Sequence, residues 1–200
     1  MGRKFIAIAI GALTLSLLAV PAVAQGKGLN CMAGQYSTDQ REELAELGRI
    51  MSTGGADINE PAFDRISSIA MSAIETCTAR LDWNPEQSIY ATLYELGRVN
   101  EAAYRSSGNL SSSELRMLDD ALAAGNRDRL WGVIEAGVMS GMGGEEVSVS
   151  QGDAMVMGAF LMGAGLDVDD ESQMVAEKVG LLLGFMGLQR IGQREFTNLR

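Results

Sequence analysis

The sequence predicts an all-α fold: six or seven helices around a buried, Gly- and Met-rich helical hairpin, with one disulfide. Three observations carry this expectation. Apolar residues recur at spacings of three and four through most of the chain after residue 36. Residues that favour helix starts (Ser37, Asn59, Asn84 and Ser111) stand in front of successive apolar stripes. Two long stretches near the C-terminal end, 154–166 and 179–188, carry no charge on any side.

Ser37 and Gln40 form a capping-box pair that opens a helix to about Thr53, with Leu44, Leu47 and Met51 on one face and Gly54-Gly55 ending it. Asn59 and Pro61 start a second, along which Phe63, Ile66, Ala70, Ala73 and Cys77 form a stripe widened by Ile69 and Ile74. Asn84-Pro85 starts a third, running to about Arg105 with Ile89, Leu93, Leu96 and Asn100 in register. Ser111 and Glu114 cap a fourth, carrying Leu115, Leu118 and Leu122. Gly125-Asn126 breaks it and caps a fifth, with Leu130, Ile134, Gly137, Val138 and Gly141 along one side. Gly143 to Ser150 reads as a loop, its Val147-Ser148-Val149 alternation being too short for a strand. The uncharged stretches 154–166 and 179–188 are then the arms of the central hairpin. Gly158, Gly163, Gly165, Gly180, Gly184 and Gly187 are expected to let their backbones approach closely.

The N-terminus predicts export. Arg3 and Lys4 precede a 16-residue uncharged run from Phe5 to Val20, Pro21 breaks it, and Ala22-Val23-Ala24 is a small-x-small cleavage pattern. At about 1.5 Å per residue the run reaches roughly 24 Å, short of a ~30 Å hydrocarbon core, so cleavage after Ala24 is expected rather than a retained span. Residues 1–24 are therefore read as a signal peptide and 25–200 as a single α-helical domain in the periplasm or outside the cell. In such a compartment the pair Cys31 and Cys77 is expected to form a disulfide that pins the N-terminal segment to an apolar helix face. No CxxC motif is present.

Charge and composition exclude several function classes. The signal peptide holds two basic residues and no acidic one, so the net charge of −10 becomes −12 on its removal. A surface this acidic repels phosphate backbones and anionic lipid, and nucleic acid is not an expected partner. Histidine is absent, which removes the usual general base near neutral pH and the commonest transition-metal ligand. No catalytic, cofactor or metal residue is assigned.

Four constellations have plainer readings. Asp167, Asp169 and Glu171 imitate the first positions of a calcium loop, but Ser172 and Lys178 stand where glycine and glutamate are needed, and acidic residues before a helix already suit its dipole. Met139, Met142, Met155, Met157 and Met162 could offer thioethers to Cu(I), yet in so apolar a stretch they are expected to fill the core. Glu171-Ser172 and Gly187-Leu188-Gln189 share letters with lytic transglycosylases, but the residues between them form one uninterrupted helical pattern and no catalytic loop. Glu135 lies one turn from Trp131 and Val138, where a carboxyl could be desolvated, and is read as a boundary carboxylate with no partner acid. Finally, Glu46-Leu47-Gly48-Arg49-Ile50 returns as Glu95-Leu96-Gly97-Arg98-Val99, an echo that is either a duplicated hairpin or coincidence.

The expected activity is binding by contact, of a macromolecular partner or a small apolar ligand, without chemistry of its own. The alternatives are a membrane-inserting hairpin protein and a carboxylate-only envelope enzyme such as a glycan-cleaving one.

Overall fold

The computed structural model describes residues 28–50, 59–144, 150–166 and 172–199. The signal peptide, the Gly54-Gly55 stop, the 147–149 alternation and the acidic run 167–171 lie outside the described residues. Among the described residues there are eight helices and no strand: α1 (Asn30–Ala33), α2 (Thr38–Ile50), α3 (Glu60–Leu81), α4 (Pro85–Ser106), α5 (Ser112–Ala123), α6 (Asp128–Met142), α7 (Gln151–Gly163) and α8 (Ser172–Asn198). The all-α bundle holds, with seven substantial helices and the single turn α1.

The start signals act as the sequence implies. Ser37 accepts from the Gln40 N–H at 3.1 Å while the Gln40 side chain accepts from the Ser37 N–H at 2.9 Å. Ser111 and Glu114 make the same reciprocal pair, and so do Asn84 and Gln87, a box whose second member the sequence reading leaves out. Asn59 caps α3 by accepting from Ala62, with Pro61 in the first turn. Each cap satisfies donors that a helix N-terminus leaves unpaired. α7 starts three residues before 154, because Ser150 caps it through the Asp153 N–H.

α4 and α8 form the centre and run antiparallel. Tyr90 and Tyr94 face Gly192, Gly97 faces Phe185 and Gln189, and the Gln189 side chain donates to Glu101. α2 packs on α4 in the same direction, with Gly48 against Ala103 and Ser106. α3 packs against both, and α6 covers the other side of α8 through Ile134 and Val138 against Gly187. One cluster of buried side chains runs from Leu29 to Phe196.

The expected stripe on α4 is corrected. Ile89 is exposed, while Ala91, Tyr94, Glu95, Gly97, Val99, Asn100, Ala103 and Tyr104 are buried. α4 touches α2, α3 and α8 together, so its buried sector is wider than one apolar stripe and takes in a carboxylate.

The two arms of the expected hairpin fare differently. α8 supplies the core, with Val179, Leu182, Leu183 and Phe185 buried. α7 rests mainly on α6, burying Phe160 and Leu161 and leaving Ala154, Met155, Ala159, Met162 and Gly163 exposed. Absence of charge therefore marks burial in α8 and an uncovered apolar face in α7. The close-approach glycines differ as well. Gly158, Gly163, Gly180 and Gly184 have open space where a Cβ would go, and Gly165 serves a turn at φ +74°. Of the expected set Gly187 alone is pressed closely by a neighbouring helix, while Gly48, Gly97 and Gly192 meet theirs at backbone contact.

Cys31 and Cys77 are joined, with Cα atoms 6.0 Å apart, and tie α1 to the buried face of α3. Closing 46 residues of sequence stabilises the fold by about 4 kcal/mol on the chain-entropy account.

Candidate functional site

Two charged clusters sit at helix interfaces, and the chain ties both up in internal bonds. Glu95 is 0% exposed. Arg98, one turn along α4, grips it with both arms of its fork, Nε to Oε2 at 2.9 Å and Nη2 to Oε1 at 2.6 Å. The Tyr36 hydroxyl donates to the same carboxylate, and the Arg98 guanidinium lies 5.7 Å from the centre of the Tyr36 ring. Burial, then the adjacent Glu95 charge, holds the Tyr36 hydroxyl far above its ordinary range. Burial works against the Arg98 charge, but the Glu95 bonds outweigh it and raise the guanidinium further. A carboxylate with three donors on it, a tyrosine held as donor and an arginine held as cation fasten α4 to the segment before α2.

Glu135, the other carboxylate of interest, lies between α6 and α8. Arg190 donates to it at 3.1 Å, Arg194 also bonds it, and the Arg190 guanidinium covers Trp131 at 4.4 Å. It lines a shallow groove of about 310 Å³ with Arg190, Gln193, Arg194, Thr197 and Asn198, in which it is the one acid among the described residues. Paired-carboxylate hydrolysis needs a second acid facing the first, and this lining does not supply one.

Three buried tyrosines give the fold a pH limit. Burial is the main cause that raises Tyr36, Tyr94 and Tyr104, the last to about 12. In the unfolded chain a tyrosine loses its proton near 10. Stability is therefore complete below pH ~10 and falls as pH rises beyond it, because the unfolded state releases protons that the folded state keeps. Thermal melts at stepped pH should show a steep decline starting near 10; a melting temperature flat to pH 12 would contradict the assignment.

The larger cavity, about 530 Å³, opens between α6 and α7. Leu130, Met155, Val156, Ala159 and Phe160 give it apolar walls, and Asn126, Arg127 and Arg129 stand along one side. Local sequence builds that side. The Asn126 side chain accepts from the Asp128 N–H at 2.7 Å and donates to the Asp128 carboxylate at 2.8 Å, which turns the chain into α6 and occupies the nearby acid. Arg127 Nε donates to the Ala121 carbonyl at the end of α5, and its guanidinium lies 5.6 Å from the Phe160 ring centre. Met155 in the groove wall is 69% exposed, and beyond the groove Met162 is 62%, Met139 52% and Met142 51% exposed. Core filling thus fails for these four methionines and holds for Met157, which packs against the core. Sequence reasoning missed Arg127, Arg129 and Phe160, since none belongs to a motif.

Comparison with protein-family models, with curated proteins and with solved structures finds no match for this chain.

Proposed function

We propose that this is an exported binding protein, soluble after cleavage at Ala24, whose α6–α7 groove takes a small apolar ligand without transforming it. The groove itself carries the reading: about 530 Å³ lies within the ~300–1,000 Å³ usual for small-ligand sites, and its walls are mostly apolar. Flexible thioethers around it adapt to aliphatic shapes, as they do on other hydrophobic binding surfaces. A macromolecular partner would use the same methionine-bearing face. No helix among the described residues is long and apolar enough to cross a membrane, which leaves insertion of the hairpin with less support.

The test uses the mature protein, whose intact mass should correspond to residues 25–200. A neutral apolar dye, N-phenylnaphthylamine, should brighten on binding. Ala159→Trp, which places a bulky ring in the groove, should abolish that response while the melting temperature stays close to wild type. Equal dye binding by wild type and a folded Ala159→Trp would remove the groove from consideration. Dye release from lipid vesicles at micromolar protein would favour membrane insertion.

A further inference from the structure

We infer that the α6–α7 groove takes a free amphiphile with an anionic head, an aliphatic chain ending in a carboxylate or phosphate. This rests on the reading of the groove as an apolar-ligand site and adds the chemistry of the ligand's polar end. The argument is one of charge. In a chain of net charge −10, arginines facing other helices are mostly consumed by acids: Arg65 by Glu43, Arg98 by Glu95, Arg105 by Glu101 and Asp119, Arg190 and Arg194 by Glu135. Arg127 and Arg129 are not among them, and unlike the exposed Arg41, Arg80 and Arg116, which also lack an acid among the described residues, these two line the groove. Among the described residues, neither has a carboxylate partner and no acidic side chain lines the cavity.

The nearest acid in sequence, Asp128, is held by the Asn126 amide. Arg127 is fixed through Nε to the Ala121 carbonyl, which spares both of its terminal nitrogens and leaves its plane beside Phe160. The first turn of α6 supplies Arg129 and Leu130 to the lining, so the positive end of that helix's dipole lies on the same side. The opposite wall, Met155, Val156, Ala159 and Phe160, is wholly apolar. One side thus offers two guanidiniums and the other a hydrocarbon surface. A carboxylate or phosphate on an aliphatic tail satisfies both, since guanidinium forks match those oxyanions. A neutral lipid would leave the cations unanswered, and a nucleotide would find no aromatic platform beyond Phe160.

The experiment is competition against bound N-phenylnaphthylamine by dodecanoate, dodecyl phosphate and dodecanol, each below its micellar concentration. One or both anions should displace the dye at about tenfold lower concentration than the alcohol, as expected for charge-assisted bonds at a partly solvated rim. Arg129→Gln should weaken the better anion by about five- to tenfold and leave dodecanol unchanged. Arg129 is exposed and bonds no other described residue, so this variant should fold, and Arg127→Gln should act in the same direction. Equal competition by alcohol and anions, with no effect of either substitution, would overturn the anionic head while leaving the apolar groove standing. Absence of dye binding to the wild type would instead remove the groove reading itself. Sedimentation with anionic vesicles that free dodecanoate does not reverse would also overturn the proposal, in favour of a bilayer surface.

Discussion

Gly97→Ala is expected to destabilise the protein by about 3 kcal/mol, against the preference of an isolated helix. In a solvated helix alanine is better than glycine by roughly 1 kcal/mol. At Gly97 the added methyl would lie 2.5 Å from the Phe185 carbonyl oxygen and 2.9 Å from the Gln189 nitrogen. Both are backbone atoms of the central partner helix, and no rotamer change removes them. α4 and α8 would have to separate along their contact, and overpacking of this kind typically costs 1–3 kcal/mol or more. Gly192→Ala should behave alike, since its methyl would meet Tyr94 N at 2.5 Å and Tyr90 O at 2.6 Å. Gly184→Ala on the same helix has open space around it and should instead stabilise by about 0.5–1 kcal/mol. Thermal melts decide the matter: roughly 6–12 °C lost in the first two variants and a small gain in the third. A Gly97→Ala protein melting at or above wild type would show that the α4–α8 crossing is looser than described.

Arg98→Ala is expected to cost about 3–5 kcal/mol, the range for breaking a buried pair from one side. Glu95 has no exposure at all, so its carboxylate would stay buried with only the Tyr36 hydroxyl on it. The partners are not equivalent. The Arg98 side chain is 31% exposed and can turn toward water, whereas Glu95 cannot. Glu95→Gln should therefore cost clearly less than Arg98→Ala, keeping an acceptor for Tyr36 and releasing an arginine that solvent can reach. Replacing both residues by apolar ones should recover part of the loss. Urea titrations of the three variants give the order, and an Arg98→Ala protein no weaker than Glu95→Gln would reverse the account.

The helices were legible because their ends are written locally. Ser37 with Gln40, Asn59 with Pro61 and Ser111 with Glu114 act within three residues, so the sequence shows the whole interaction. The disulfide was legible from cysteine count and predicted compartment. Which helices form the centre was not, because α4 meets α8 across 88 residues of sequence, as Glu101 and Gln189 illustrate. An uncharged helix has the same sequence pattern whether neighbours cover it, as for α8, or leave a face open, as for α7. Glu95 reads as a surface residue until Tyr36 and Arg98 are seen beside it. Its repeated motif, however, gains a physical meaning. In both copies the glycine sits at a helix crossing and the flanking Glu and Arg pair one turn apart, exposed in Glu46–Arg49 and buried in Glu95–Arg98. The groove was not legible at all, since Arg127 and Phe160 meet only in space.

The long separation between α4 and α8 also sets a timetable. A chain made from its N-terminus completes α4 well before the α8 residues that pack on Tyr94 and Gly97 and bond Glu101 exist. Until then α4 has α2 and α3 for company and an open side with a notch at Gly97 shaped for another backbone. The α4 side of the core is thus complete only once α8 has been made. Were the protein to cross a membrane unfolded, a route compatible with the export proposed above, a centre completed this late would leave the chain unlocked during passage.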